Sequence, residues 1–182
     1  MVGKGLSFVV SPWNFPVAIF IGQTVAALIT GNVVITKPAE QSSFAAYYII
    51  KLLLKAGLPS NAIALLLGDG ALIGKKVIND KKLKNVIFTG SLETAKIIQS
   101  NLQQKENIPT FIAETGGLNC MIVDTSALTE HVVKDVVNSG FDSAGQRCSA
   151  CRILCVEENI YEHTKHILIG AMKTQKVGNP EE

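Results

Sequence analysis

The 182-residue sequence predicts an α/β fold built on a doubly wound parallel sheet. Short runs rich in β-branched residues alternate with longer segments whose apolar positions have helical spacing. The short runs are apolar along their whole length, which is typical of strands whose two sheet faces are both covered. Right-handed crossover helices provide that cover, and they leave the strands parallel.

The predicted elements alternate along the first part of the chain. Strands are predicted at 6–10, 33–36, 63–67 and 86–89. Helices are predicted between and after them, at 17–30, 42–56, 71–79 and 92–104. Gly31 and Gly57 directly follow the first two helices, where a glycine in the left-handed conformation commonly ends a helix.

The character of the sequence changes after residue 104. A polar stretch at 104–107 precedes further predicted strands at 110–113 and 120–123 and a helix at 128–139. We therefore expect a domain boundary between residues 107 and 114.

Charge and hydropathy argue against two classes of function. Seventeen basic and fifteen acidic residues leave a net charge of only +2, and the lysines are scattered, so nucleic-acid binding has little support. The longest apolar run, at 17–29, is broken by Gly22, Gln23 and Thr24, which fits a buried helix better than a membrane span. The first residues are too few and too rich in glycine for a signal peptide, so we expect a cytoplasmic location.

Lys37 and Glu40 follow the second predicted strand. Sheets of this class bind ligands beyond the carboxyl ends of their strands. A lysine and a carboxylate at that edge are well placed to hydrogen-bond the ribose hydroxyls of a dinucleotide. The glutamate would also repel a 2′-phosphate, because both groups are negatively charged.

Gly90 and Ser91 close the fourth predicted strand and open a helix. The free N–H groups and the positive dipole end of a helix suit a pyrophosphate. The alternative is that Ser91 is an ordinary N-cap followed by Glu93, which is physically sufficient. The Gly-x-Gly-x-x-Gly fingerprint of many dinucleotide sites is absent.

Cys148 lies in a run of small and polar residues, next to Arg147. We expect the arginine and a nearby helix terminus to lower the thiol pKa and so favour the thiolate. A thiolate is a nucleophile for carbonyl carbon. The alternative is that Cys148, like many free cysteines, is a small buried hydrophobic residue.

The cysteines at 120, 148, 151 and 155 are expected to be reduced thiols, since no secretory signal precedes them. The Cys148-x-x-Cys151 spacing, with Cys155 as a third ligand, raises the alternative of a redox or zinc site. Structural zinc sites use four ligands at paired short spacings, and neither a second pair nor a nearby histidine is present, so we expect no metal. Cys151 and Cys155 would share one face of a strand, where packing explains them.

Glu114 and Asn14 are candidates of another kind. Glu114 follows a predicted strand, where a carboxylate can point into a cleft and act as a general base. Asn14 lies in a turn between two prolines, where its amide could donate to an oxyanion. Each residue also has an ordinary explanation, as a solvated loop acid and as a turn asparagine.

Five short motifs occur in order: Pro-Trp-Asn-Phe-Pro at 12–16, Lys-Pro-Ala-Glu at 37–40, Phe-Thr-Gly-Ser at 88–91, Glu-Thr-Gly-Gly at 114–117 and Gly-Gln-Arg-Cys at 145–148. This ordered set resembles the aldehyde dehydrogenase superfamily over essentially the whole chain. Over the longer runs of residues around these motifs, the sequence is most similar to the L-glutamate γ-semialdehyde (Δ1-pyrroline-5-carboxylate) dehydrogenase domain of bifunctional proline-utilisation proteins.

The resemblance implies a role for each matching residue. Cys148 would be the nucleophile, and its backbone N–H together with Asn14 would form the oxyanion hole. Glu114 would be the base for deacylation. The remaining residues would bind ligands. Lys37 and Glu40 would bind the adenosine ribose, Gly90 and Ser91 would approach the pyrophosphate, Phe15 would line the aldehyde pocket, and Ser149 would help to hold the substrate carboxylate.

The implied reaction oxidises L-glutamate γ-semialdehyde to L-glutamate in proline catabolism, with NAD as the cofactor. The thiolate adds to the aldehyde, hydride transfer leaves a thioester, and water activated by Glu114 releases the acid. Residues 1–110 would be a Rossmann-like, dinucleotide-binding portion, and residues 111–182 would begin an α/β catalytic domain.

The family's chain extends beyond both ends of this one, so the resemblance implies an internal fragment with an incomplete cofactor domain. A second copy or a complementing chain is therefore an expected partner, beside the small aldehyde substrate. The alternative function is a truncated, non-catalytic module that binds a nucleotide or a protein partner.

Overall fold

The computed structural model describes residues 2–179, and strand β1 lies at the centre of its larger sheet. Five parallel strands form this sheet in the order β3-β2-β1-β4-β5. The strands are β1 (Leu6–Ser11), β2 (Val33–Pro38), β3 (Ile63–Leu65), β4 (Leu83–Gly90) and β5 (Thr110–Thr115). The connecting helices are α1 (Ala18–Ile29), α2 (Ser43–Lys55), α3 (Gly70–Ile78) and α4 (Leu92–Gln103).

Helices cover both faces of this sheet. Phe8 of β1 packs in a cluster with residues of α3 and α4, and the next residue, Val9, packs with Ala27 of α1 on the opposite face. Helix α2 contributes Ala46 and Ile49 to a further cluster on the α1 side. The predicted doubly wound parallel sheet is confirmed.

Five strands are longer than the sequence predicted, by one residue in β1 and β6 and by more in β2, β4 and β5, whereas β3 is shorter and ends at Leu65. β2 continues to Pro38 because Lys37 and Pro38 still pair with β1. β5 continues to Thr115 because Glu114 and Thr115 pair with β4. Gly31 and Gly57 have φ of +83° and +101°, which confirms that each ends its helix in the left-handed conformation.

The chain separates into two units, Met1–Thr115 and Gly116–Glu182. The boundary follows β5, since β5 belongs to the five-stranded sheet. The functional division at residues 110 and 111 stays a prediction. Within the described residues, no helix is both long enough and apolar enough to cross a membrane.

The second unit contains a pair of parallel strands, β6 (Asn119–Val123) and β7 (Cys151–Val156). Helix α5 (Thr129–Phe141) lies between them in the chain, and α6 (Glu158–Lys173), which the sequence analysis missed, follows β7. Val123, Val132 and Val136 form the core of this unit, and Leu154 of β7 and Leu168 of α6 pack against them.

Candidate active site

Lys37 and Glu40 form a close pair at the carboxyl end of β2. The Lys37 side chain is almost fully buried, and its Nζ atom donates to the carbonyl of Pro38 at 2.7 Å and to Oε1 of Glu40 at 2.9 Å. The Glu40 side chain is about half exposed. A buried ammonium is held here by two oxygens, while the carboxylate remains accessible from solvent.

The environment of Glu40 favours its charged form. The hydrogen bond from Lys37 is the main reason why the pKa of the Glu40 carboxyl lies below its ordinary value, and the backbone N–H groups of Glu40 and Gly70 add to the effect. Gly70 opens helix α3, so the carboxylate lies at a helix N-terminus.

Gly70 was missed by the sequence analysis. A Cβ atom at this position would lie 3.3 Å from Oε1 of Glu40 and 3.5 Å from Nζ of Lys37. The absence of a side chain therefore leaves room for the ion pair. No sequence signal marked it, because its role depends on β2 and α3 coming together in space.

Gly90 and Ser91 lie where β4 passes into α4. A Cβ atom at Gly90 would lie 2.6 Å from the Phe88 ring, so glycine is needed sterically. The Ser91 hydroxyl accepts from the N–H of Thr94 at 3.2 Å and donates to its Oγ1 at 2.9 Å. Ser91 is therefore an N-cap, as the ordinary explanation predicted, and its role toward a pyrophosphate stays a prediction.

Polar groups also lie on the α1 side of this edge. Nε2 of Gln23 on α1 donates to Oγ1 of Thr89 on β4. The Oε1 atom of Gln23 and the Oγ atom of Ser11 are buried without a hydrogen-bond partner among the described residues. Buried polar atoms are normally hydrogen-bonded, so these two oxygens are available to hydrogen-bond a polar ligand at the carboxyl edge of the sheet.

The remaining candidates of the first unit lie at the same carboxyl edge. Asn14 and Phe15 are half-buried in the turn that follows β1. Glu114 is exposed near the end of β5, and the strand register places it beside Thr89. It lies within the strand rather than in the loop after it, because the pairing with β4 continues past it.

Cys148 lies in an irregular segment between α5 and β7, residues 142–150, which we name the cysteine turn. Its thiol is free and exposed, and Ser149 beside it is also exposed. The alternative of a buried hydrophobic cysteine is therefore wrong in this structure. The turn ends at Ala150, which is fully buried and anchors the segment at the start of β7.

Arg147 has a different role from the one expected. The Nη2 atom of its guanidinium donates to the carbonyls of Asn138 and Ser139, in the last turn of α5. These carbonyls lie at the C-terminal end of a helix, which carries negative partial charge. The guanidinium therefore caps α5 at its C-terminal end.

The cysteine turn contains strained backbone. Ser143 and Ala144 have φ of +56° and +53°, and Gly145 follows with +66°. Each non-glycine residue in this region costs about 1–2 kcal/mol. Such a conformation persists only where neighbouring groups hold it.

Side chains from three elements hold the cysteine turn. Arg152 of β7 donates from Nη2 to the carbonyl of Gly145, and the Ser139 hydroxyl of α5 accepts from the N–H of Cys151 at 3.1 Å. Asn119 at the start of β6 donates to the carbonyls of Cys148 and Ala150, at 2.6 and 3.1 Å. These three residues could not be identified from the sequence, because no motif or period marks a side chain that binds distant backbone.

The four cysteines bear on the two other roles considered for them, a redox or zinc site and simple packing. All four cysteines are free. Residues 2–179 contain no group of three or more His, Cys, Asp or Glu side chains that could hold a metal ion. Cys151 and Cys155 lie on β7 as expected, but Cys155 is exposed, so packing does not explain it.

The structure therefore places the candidates in two groups. The carboxyl edge of the first sheet carries Asn14, Phe15, Lys37, Glu40, Gly90, Ser91 and Glu114. The cysteine turn of the second unit carries Cys148 and Ser149.

Comparison with known proteins places this chain in a family. The model of the aldehyde dehydrogenase family matches residues 2–182. The bifunctional protein PutA of Salmonella typhimurium is 53% identical over 176 residues, which cover 94% of this chain and 13% of that protein. The 1-pyrroline-5-carboxylate dehydrogenase of Anoxybacillus flavithermus is 37% identical over 186 residues, covering 98% of this chain and 35% of that protein.

A solved structure agrees with these relatives. The betaine aldehyde dehydrogenase of Staphylococcus aureus, crystallised in complex with NAD⁺, superposes with a TM-score of 0.90 at 32% identity, covering 96% of this chain and 34% of that chain. This chain thus spans a minor part of the length of the proteins that it matches. The resemblance in sequence is confirmed: the chain belongs to the aldehyde dehydrogenase family.

Proposed function

We propose that this chain carries the nucleophile and the adenosine-binding residues of an NAD-dependent L-glutamate γ-semialdehyde dehydrogenase. The observation that carries the proposal is the exposed Cys148 thiol on a turn that side chains hold in place, within a chain of this family. The substrate follows from the names of the relatives, PutA and 1-pyrroline-5-carboxylate dehydrogenase. L-Glutamate would be the product.

The first unit fits a dinucleotide. The strand order changes direction at β1 and β4, and the crevice at such a point is where doubly wound sheets bind nucleotides. Lys37 and Glu40 would hold the adenosine ribose, and Gly90 and Ser91 would approach the pyrophosphate at the start of α4. The unpartnered oxygens of Ser11 and Gln23 support a polar ligand at this edge. When bound there, NAD would supply the hydride acceptor.

The chemistry of the aldehyde would depend on Cys148. Its thiolate would add to the carbonyl carbon and form a C–S bond, and the family resemblance implies that the Asn14 amide and the Cys148 N–H would donate to the resulting oxyanion. Loss of hydride from the same carbon leaves a thioester on Cys148.

Deacylation would depend on Glu114. Its carboxylate takes a proton from water, the hydroxide adds to the thioester carbon, and the C–S bond breaks to regenerate the thiolate and release the acid. Phe15 would line the aldehyde pocket, and Ser149 would help to hold the substrate carboxylate.

The test follows NADH formation from glutamate semialdehyde. It compares the chain alone with the chain supplemented by the two polypeptide segments that flank the matching region in a PutA dehydrogenase domain. We expect weak or no turnover from the chain alone and measurable turnover from the mixture. Cys148→Ala should abolish it, whereas Cys155→Ala, which removes another exposed thiol, should retain it.

The other outcomes separate the alternatives. Turnover that survives Cys148→Ala contradicts the mechanism. A mixture that binds NAD but forms no NADH contradicts the dehydrogenase function and favours a non-catalytic nucleotide-binding module. Homo-oligomerisation and a cytoplasmic location stay predictions.

A further inference from the structure

Asn119 uses both hydrogens of its side-chain amide on the cysteine turn. Nδ2 donates to the carbonyl of Cys148 at 2.6 Å and to the carbonyl of Ala150 at 3.1 Å. An asparagine amide has two N–H donors, so the donor capacity of this group is filled by two backbone carbonyls. One side chain thus binds the backbone at the candidate nucleophile and two residues beyond it.

The position of Asn119 explains why a side chain does this. The β6–β7 ladder is regular from Cys120 onward, but its register shifts between Asn119 and Cys120. The backbone pairing is thus irregular where the cysteine turn enters β7. The Asn119 side chain supplies hydrogen bonds to the carbonyls just before that entry.

These contacts fix the backbone on both sides of the Cys148 Cα atom. The carbonyl of Cys148 is held by Asn119, which sets the peptide plane that follows the Cα atom. The carbonyl of Arg147 accepts from the N–H of Ala150 at 3.1 Å, which sets the plane that precedes it. Because each peptide is planar, fixing both planes fixes the direction of the Cys148 N–H and of its Cα–Cβ bond.

We propose that Asn119 is a positioning residue that acts through Cys148: together with the hydrogen bond from Ala150 to Arg147, it holds the thiol and the backbone N–H of Cys148 in the orientation that carbonyl addition needs. This inference rests on the proposed function, since it takes Cys148 as the nucleophile. Asn119 needs no contact with the substrate for this role. Its effect is confined to reactions in which an oxyanion forms beside the Cys148 N–H.

The test compares two reagents on the same thiol, in a background with Cys120→Ser, Cys151→Ser and Cys155→Ser. With p-nitrophenyl acetate, the thiolate forms a bond to the carbonyl carbon, an oxyanion develops, and the ester C–O bond breaks to release p-nitrophenolate, which absorbs visible light. With iodoacetamide, the thiolate displaces iodide from an sp³ carbon, and no oxyanion forms. Neither reaction needs NAD.

We expect Asn119→Ala and Asn119→Leu to lower the rate of acetylation by about tenfold or more, since both remove the donors without adding a charge. The rate of alkylation should change by less than about threefold, since it depends on the ionisation and exposure of the thiol. Asn119→Leu keeps the approximate size of the side chain and provides the test if Asn119→Ala folds poorly. Asn101→Ala, on the exposed surface of α4, is the matched control and should change neither rate.

An equal fall in both rates would overturn the inference, because it would mean that Asn119 acts on the ionisation or access of the thiol. Unchanged acetylation would also overturn it. A different result would contradict the proposed function. If Cys148 is acetylated in an Asn119-dependent manner but no NADH forms when the rest of the domain is supplied, the role of Asn119 stands and the dehydrogenase function is wrong.

Discussion

The Lys37–Glu40 pair and the cysteine turn are built in opposite ways. Lys37 and Glu40 stand at the end of a regular strand, and the important contacts join one side chain to another or to the adjacent backbone. In the cysteine turn the backbone itself is irregular, and side chains from outside the turn hold its carbonyls. The first region uses regular backbone to place side chains, whereas the second uses side chains to place backbone.

This difference predicts how each region responds to substitution. Removing a side chain at the strand end should remove a ligand contact and leave the backbone in place, since the parallel ladder holds it. A change in the cysteine turn should alter the backbone and the stability of the second unit.

Gly145→Ala should destabilise the second unit by about 2–4 kcal/mol, combining left-handed strain with a steric clash. The added Cβ atom would lie 2.8 Å from the backbone oxygen of Gly140, which cannot move as a flexible side chain can. Urea unfolding, followed by amide exchange in α5 and α6, measures the effect.

Gly170→Ala is the matched control, because Gly170 lies inside α6 with open space around its Cα atom. This variant should be more stable by about 0.5–1 kcal/mol, since alanine favours helix. Equal effects of the two substitutions would contradict the claim that the cysteine turn depends on its backbone conformation.

Lys37→Met should weaken the binding of AMP by about 1.5–3 kcal/mol, or roughly tenfold to a hundredfold, because a hydrogen bond from a charged donor is lost. Calorimetric titration measures the affinity. Lys51→Met removes an exposed ammonium on α2 and should leave the affinity unchanged. Equal affinities of the Lys37→Met variant and the wild type would remove Lys37 from the proposed ribose site.

Ala144→Gly should stabilise the second unit by about 1 kcal/mol, because glycine adopts positive φ without strain. Ala171→Gly, in the regular helix α6, should destabilise the same unit by a similar amount. Changes of opposite sign in the unfolding free energy would support the distinction between the irregular backbone of the cysteine turn and the regular backbone of α6. A loss of stability in both variants would mean that Ala144 is not strained.

The smallest effect concerns pH. Because the pKa of Glu40 is lowered in the folded chain, its carboxylate stabilises the fold above the ordinary pKa of 4.5, and this contribution is lost as the pH falls through the lowered value. The difference in unfolding free energy between wild type and Glu40→Gln should therefore narrow as the pH falls from about 6 to about 3. Fluorescence of Trp13, the one tryptophan, reports unfolding in urea.

The Lys37→Met background provides the control for this pH effect. Without the ammonium, the main cause of the lowered pKa is absent, so Glu40→Gln should show a smaller dependence on pH. An unchanged dependence would mean that the backbone N–H groups, and not Lys37, dominate.

The candidate residues whose positions in the fold the sequence predicted correctly are those tied to local periodicity. Lys37 and Glu40 could be placed at a strand end because the run at 33–36 reads as a strand without knowledge of its neighbours. Gly70, Asn119 and Arg152 could not be found in this way. Each is a contact between elements that are distant in sequence, and neither composition nor spacing records such a contact.

The amino-acid sequence alone accounts for the alternation of strands and helices, the apolar strands and the order of the family motifs, because these depend on residues close together along the chain. Three features become visible only in the folded chain: Arg147 caps α5, Gly70 leaves room for the Lys37–Glu40 pair, and Asn119 holds the cysteine turn. The physical reason is that hydrogen bonds and steric contacts act over a few ångströms of space, whatever the separation of the residues along the chain.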